Sequence, residues 1–315
     1  MADGSVLAVI GGSGLYDIGG LTDVEQIRTD TPFGPPSDVI VRGRLGATTL
    51  LFLPRHGRGH RIAPHQINFR ANVCALKTLG ATHLLSISAV GSMREEIAPG
   101  DFVVVDQFID LTRRRTSTFF EDGLVAHVAF ADPVCDRLAA AVVGAAGRAL
   151  GVGGGAAGPA GAQEPAVGAA RRARVHARGT YVCIDGPQFS TRAESELYRS
   201  WGVSVIGMTG MPEAKLAREA ELPYALLALA TDYDCWHETE EDVSAEAIMA
   251  IVRSNVAAAR NVVVELARSL PDPSESRATG ALSAALMTAR DAVPQATIAR
   301  LGWLVDKYMR RQGDR

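Results

Sequence analysis

Apolar runs of strand length recur along the chain, and several stop at glycines, hydroxyls or charges. Residues 6–10 run into Gly11-Gly12-Ser13-Gly14, and residues 38–42 and 48–53 flank a turn at 43–46, which predicts a hairpin. Further strands are predicted at 83–89, 102–105, 181–184, 203–206 and 224–230. The last is continuously apolar, the mark of a parallel strand buried on both faces. Helical spacing fills the intervals at 68–79, closed by Gly80, and at 135–150. It returns after Thr191 and Glu194, which fit a capping box, and from Pro212-Glu213 to Ala220, before Pro223. Residues 243–270 are amphipathic in Ile248, Ile251, Val252, Val256, Val263 and Leu266, as a helix covering one sheet face requires.

This alternation predicts an α/β fold: a single domain with a central mixed, largely parallel twisted sheet flanked by helices, over residues 1–270. Residues 271–315 form a tail with helical patterns at 281–292 and 296–309, separated by Pro294 and too short to bury a core alone. Residues 151–179 are mostly Gly and Ala, ending in Arg171, Arg172, Arg174 and Arg178. So few apolar side chains predict a mobile insertion, with its arginines as a solvated flank.

Composition narrows the function. With 315 residues and 47% hydrophobic content, the chain can bury a large core. No apolar run approaches the roughly 20 residues of a membrane span, and the first residues lack a secretory pattern, so a cytoplasmic protein is expected. Cys74, Cys135, Cys183 and Cys235 are scattered and read as reduced thiols. A net charge of −3 gives no global field for nucleic acid, so any anion must be held locally.

The candidate chemistry sits at strand exits, where open α/β sheets bind ligands. Ser13 in its glycine turn offers a phosphate cradle, but the third glycine position of a dinucleotide fingerprint is Asp17 and no Walker lysine follows. Arg55, His56, Arg58, His60 and Arg61 make a cationic exit suited to an anion. No carboxylate or cysteine accompanies those histidines at ligand spacing, so no metal is expected. Ser88, Thr209, Asp232 and Asp234 lie at further exits, the two acids spaced so that an extended segment points them the same way. Phe189 is placed to stack on a flat ligand or to plug the core.

Taken together, IGGSG at 10–14, PRHGRGH at 54–60, SAVGSMREEIAPGD at 88–101, DGPQFSTRAE at 185–194, GMTGMPEAKLAREA at 207–220 and ATDYDCW at 230–236 resemble the trimeric purine nucleoside phosphorylase family, and within it the branch acting on S-methyl-5′-thioadenosine. The resemblance spans most of residues 6–270. It implies reversible phosphorolysis by a homotrimer without cofactor, inorganic phosphate being a co-substrate and nucleic acid and membranes playing no part. Ser13, Arg55, His56, Ser88, Thr209 and the Ala89 N–H would hold phosphate. Met208 would lie against the ribose and Phe189 beside the base. Asp232 would share a proton with purine N7, while Asp234, with Ser190 nearby, would accept from the 6-amino group. The 5′ substituent would meet His60, Ala245, Ile248 and Met249, with His127 reaching in from a neighbouring subunit.

Three departures accompany the resemblance: Gly207 stands where many relatives have asparagine, Ser88 replaces threonine and Gln188 replaces arginine. A broader purine nucleoside phosphorylase, a hydrolase using water in the same crevice, and a non-catalytic nucleoside-binding protein stay open as readings.

Overall fold

The computed structural model describes residues 4–12, 14–15, 18–152, 171–237 and 245–309, without the side chains of 245–250, 252 and 253. Strands β1 (Val6–Gly11), β2 (Thr22–Ile27), β3 (Ile40–Leu45) and β4 (Thr48–Pro54) lead to helix α1 (Phe69–Thr78) and strand β5 (His83–Ser92). Strands β6 (Phe102–Val105) and β7 (Gln107–Asp110) precede helix α2 (Asp136–Ala149). Then come β8 (Val175–His176), β9 (Thr180–Cys183), α3 (Arg192–Ser200), β10 (Val205–Gly207) and α4 (Glu213–Glu219). Strand β11 (Tyr224–Asp232) and helices α5 (Ala245–Ala267) and α6 (Gln295–Met309) complete the order.

The strands form one mixed sheet in the order β2-β3-β4-β1-β5-β10-β9-β7, with β11 joining β5 to β6 and β8 beyond β6. β5 is its branching point. It runs parallel to β1 on one side and to β11 on the other, then at Gly91 and Ser92 pairs with antiparallel β10. The sequence places an exit at Ser88; instead the strand continues through Ser92, and β10 returns alongside it. Helices α2 and α5 pack on each other and on β11, and α1 packs on α4.

Local chemistry explains the helix ends. The Asn68 side chain accepts from the Ala71 N–H to cap α1, and Thr191 and Glu194 form the expected capping box on α3. The predicted hairpin forms as β3 and β4, although its turn falls at Gly46-Ala47 rather than at 43–46. β2 escaped the sequence reading because it is a largely exposed edge strand with mostly polar side chains, which gives no apolar run to find.

Two expectations need correction. The predicted helix over 281–292 does not form: Gly280 adopts a left-handed φ of 80°, and only Arg290–Ala292 makes a 3₁₀ turn. Long-range backbone bonds win here. His127 N–H donates to the Ala285 carbonyl at 2.8 Å and Met287 N–H to that of Val125 at 2.9 Å. The arginine cluster is not simply a solvated flank. Fully buried Asp101 accepts from Arg171 at 2.7 Å, from the Arg174 N–H at 2.8 Å and lies 3.0 Å from His176 Nε2, while Arg178 bonds Asp106. The predicted insertion between these anchors lies, for residues 153–170, outside the described residues.

Leu282, Ala285, Leu301, Leu304 and Val305 of the tail share one apolar core with β1, β5 and β11. Glu221, buried at the turn before β11 with a φ of 53°, accepts from the Leu282 N–H, Lys307 Nζ and the Tyr308 hydroxyl. Helix α6 is thus fastened to the strand that delivers both candidate acids.

Candidate active site

Arg55 follows β4 directly and turns inward, 2% exposed. Its Nε and Nη2 donate to the Glu213 carboxylate at 3.0 and 3.2 Å. Nη2 also reaches Ser86 Oγ and the Ile10 carbonyl, and Nη1 the Ile87 carbonyl at 3.2 Å. Burial opposes the charge, but Glu213 holds the guanidinium above its ordinary pKa. Glu213 opens α4 and is itself fully buried, so it does more than favour a helix N-terminus. The ion pair joins the ends of β1 and β4 and the middle of β5 to the start of α4.

His56 adds no charge to this exit at neutral pH. Burial pushes it down to about 4 from 6.5, aided by Arg55 and opposed by its bond to the Ile62 carbonyl at 2.8 Å. His60 stacks on it with ring centroids 4.2 Å apart. The cationic exit read from the sequence is therefore less positive than its composition.

These titrations bear on the acid stability. His83 is likewise lowered by burial to about 4. Between pH 6.5 and 4 the unfolded histidines take up protons that the folded ones refuse, so each withdraws about 3 kcal/mol as pH falls. Glu219 opposes them: burial raises it from 4.5 to about 7, so stability grows as pH falls through that interval. Two histidines outweigh one glutamate; Asp110 and Glu221, held low despite burial by their hydrogen bonds and by Lys215 or Lys307, add to the loss, and Asp234, raised by burial, opposes it. Thermal unfolding from pH 7 to 4 is expected to show a falling midpoint, and a level profile would refute the assignment.

The hydroxyls of Ser88 and Thr209 meet at 3.0 Å, brought together because β10 runs back along β5. Ser88 Oγ also donates to the Ala89 carbonyl at 3.2 Å, and Ala89 is exposed beside it. Buried Tyr181 accepts from the Thr209 N–H at 3.2 Å.

The acids lie farther along β5. A β-bulge between Ala230 and Asp232 brings Asp232 into register with Gly91. Asp232 accepts from Thr231 Oγ1 at 2.7 Å and from the Asp234 N–H at 2.8 Å, which fixes both of its oxygens. A side chain at 91 would begin 3.1 Å from Asp232 Oδ1 and 3.3 Å from Asp234 Cβ, so glycine permits the approach of both acids. Asp234 accepts from Ser195 Oγ at 2.7 Å. Burial raises its pKa, the Ser195 bond opposes this and the charge of Asp232 adds to it. Ser190 Oγ is buried without a hydrogen-bond partner among the described residues.

Met208 packs its sulfur against Gly186, where a Cβ would lie only 2.4 Å away. Phe189 is 79% exposed, neither stacked nor plugging the core. His127 is exposed on the segment that pairs with the tail. Ser13 lies outside the described residues, as do the side chains of Ala245, Ile248 and Met249 at the start of α5.

Arg115 is a residue the sequence reading passed over. Its side chain is 1% exposed and donates to the carbonyls of Met208, Met211, Ile184 and Asp185, tying the exits of β9 and β10 together. Nothing in the polar run 113–118 sets it apart from Arg113 and Arg114.

The mixed, largely parallel sheet flanked by helices is a nucleoside phosphorylase-like fold, and it gathers hydroxyls, a buried cation and an acid pair along one strand. Residues 6–268 match the Phosphorylase superfamily, and the chain belongs to it. It is an enzyme of the pentosyltransferase class. Relatives from Geobacter sulfurreducens and Thermosynechococcus vestitus, both called S-methyl-5′-thioadenosine phosphorylase, are each 50% identical over 96% of this chain and 99% of their own. A methylthioadenosine phosphorylase structure from an antarctic soil metagenomic library is similar with a TM-score of 0.85 and 45% identity, covering 96% of this chain and 99% of that one. A mutant of the adenosine/methylthioadenosine phosphorylase of Schistosoma mansoni, in complex with methylthioadenosine, gives 0.74 at 37% identity, covering 84% of this chain and 91% of that one.

Proposed function

We infer that the protein catalyses reversible phosphorolysis of S-methyl-5′-thioadenosine to adenine and 5-methylthioribose-1-phosphate. One observation carries the site assignment: Ser88 and the register partner of Asp232, Gly91, are three positions apart on β5. At about 3.3 Å per residue this separates anion donors from acids by roughly 10 Å, the span of a ribose and its base.

Phosphate is held by the hydroxyls of Ser88 and Thr209, with Ser13 and the Ala89 N–H as further donors. Arg55 lends a field that Glu213 largely cancels, while neutral His56 contributes shape and hydrogen bonding rather than charge. So positioned, a phosphate oxygen attacks C1′ as the bond from C1′ to N9 breaks. Electrons from that bond pass to the purine, and Asp232 shares a proton with N7 to stabilise the leaving base. Asp234 accepts from the 6-amino group, Met208 lies against the ribose, and Phe189 swings onto the base. His60, Ala245, Ile248 and Met249 form the 5′ pocket.

We place the protein in the cytoplasm as a homotrimer serving purine and methionine salvage, with His127 completing a neighbour's 5′ pocket and no metal or organic cofactor. Among the described residues no helix is long and apolar enough to cross a membrane.

Adenine release from methylthioadenosine, with and without phosphate and beside inosine, tests the reading. Phosphate-dependent release with inosine inert supports it, and release without phosphate makes the enzyme a hydrolase. Asp234→Asn exchanges an acceptor for an amide that can donate to a 6-oxo group. The kcat/KM preference for 6-aminopurines is expected to fall by about 10²-fold or more, and an unchanged ratio sinks the role of Asp234.

A further inference from the structure

Tyr181 lies in β9 with no exposed surface, yet its hydroxyl ends among the groups assigned to phosphate. It accepts from the Thr209 N–H at 3.2 Å, which places it beside the Ser88 and Thr209 hydroxyls, themselves 3.0 Å apart, and both hydroxyls act on its titration. Gly207 makes this possible: a Cβ there would stand 2.1 Å from Tyr181 Oη and 2.7 Å from its ring carbon Cζ. The phenol therefore fills the space of the side chain that position 207 lacks. Burial pushes its pKa up to about 12, against the pull of those same contacts, so at neutral pH it keeps its proton.

That proton matters to an anion site. Ser88 Oγ and Thr209 Oγ1 share a hydrogen at 3.0 Å, and Ser88 also points at the Ala89 carbonyl at 3.2 Å. Each hydroxyl owns one hydrogen, and a dianion draws both toward itself. Turning them away from one another would leave a buried hydroxyl oxygen without a donor, an arrangement that costs free energy. Tyr181 can supply the missing donor.

We propose that Tyr181 is a positioning residue for the phosphate subsite. Its O–H donates to the Ser88 and Thr209 pair while its oxygen holds the Thr209 N–H, which frees both smaller hydroxyls to donate to the anion. The proposal rests on the phosphate assignment above and deepens it.

Tyr181→Phe removes one oxygen and keeps the ring. The KM for phosphate, at saturating methylthioadenosine, is expected to rise roughly tenfold, as for one lost hydrogen bond of about 1.4 kcal/mol. The KM for methylthioadenosine should change less than about twofold, a split that general loosening would not give. Ser88→Ala serves as the reference. If it raises the phosphate KM and Tyr181→Phe does not, the role of Tyr181 is overturned while the phosphate assignment stands. An unchanged phosphate KM in Ser88→Ala overturns the assignment itself. A Tyr181→Phe protein with a lowered melting temperature and both KM values raised alike has lost packing, which also refutes positioning. With both hydroxyls removed, in Ser88→Ala with Thr209→Val, adding Tyr181→Phe is expected to raise the phosphate KM no further; a further multiplied defect shows that the phenol does not act through the hydroxyl pair.

Discussion

Asp232→Asn is expected to lower kcat for phosphorolysis by about 10²- to 10⁴-fold, with a much smaller change in the KM for methylthioadenosine. The replacement keeps the shape, because an amide oxygen can still accept from the Asp234 N–H that holds Asp232 at 2.8 Å. What disappears is a carboxyl able to share a proton with the departing purine. Steady-state kinetics at saturating phosphate check this. A variant within about threefold of the parent would move the acid role away from Asp232, whereas one that fails to bind nucleoside would make the residue a binding group instead.

The largest stability effect is expected at Glu213. Its pair with Arg55 is almost wholly buried, at 1% and 2% side-chain exposure. Glu213→Ala leaves that guanidinium beside carbonyls and Ser86 but without a counter-charge, which should cost about 3–5 kcal/mol. Equilibrium denaturation measures the loss. The double replacement Arg55→Met with Glu213→Leu should recover much of it, because apolar pairs of similar volume replace buried ion pairs well. If Glu213→Ala proves nearly neutral, the pair contributes little to the fold and the buried charge has another counterpart.

Much of the fold was legible because its strands are buried on both faces and therefore uniformly apolar. β11 announced itself in this way, and Thr191 and Glu194 marked the start of α3. The exposed edge strand β2 carries no such pattern, and the tail over 281–292 was misread because its backbone pairing partner, 125–127, lies far away in sequence. At the site, sequence motifs named the side chains but not their company. That Ser88 touches Thr209 follows from the antiparallel return of β10, which no spacing reveals. Glu213 looked like a helix-opening acid until the fold placed it against Arg55, and the same fold drew His56 far enough from water to keep it neutral. Arg115 became visible only when carbonyls from two separate loops converged on it.

Glu221 links helix α6 to the strand that carries the candidate acids. Its carboxylate ties Lys307 and Tyr308 to the turn from which β11 sets out toward Asp232 and Asp234. The helix and the acid-bearing strand thus form one cooperative unit in which local opening of either withdraws support from the other. Fraying of α6 is consequently expected to reach the candidate acids, because a helix remote from them still anchors the turn from which their strand sets out.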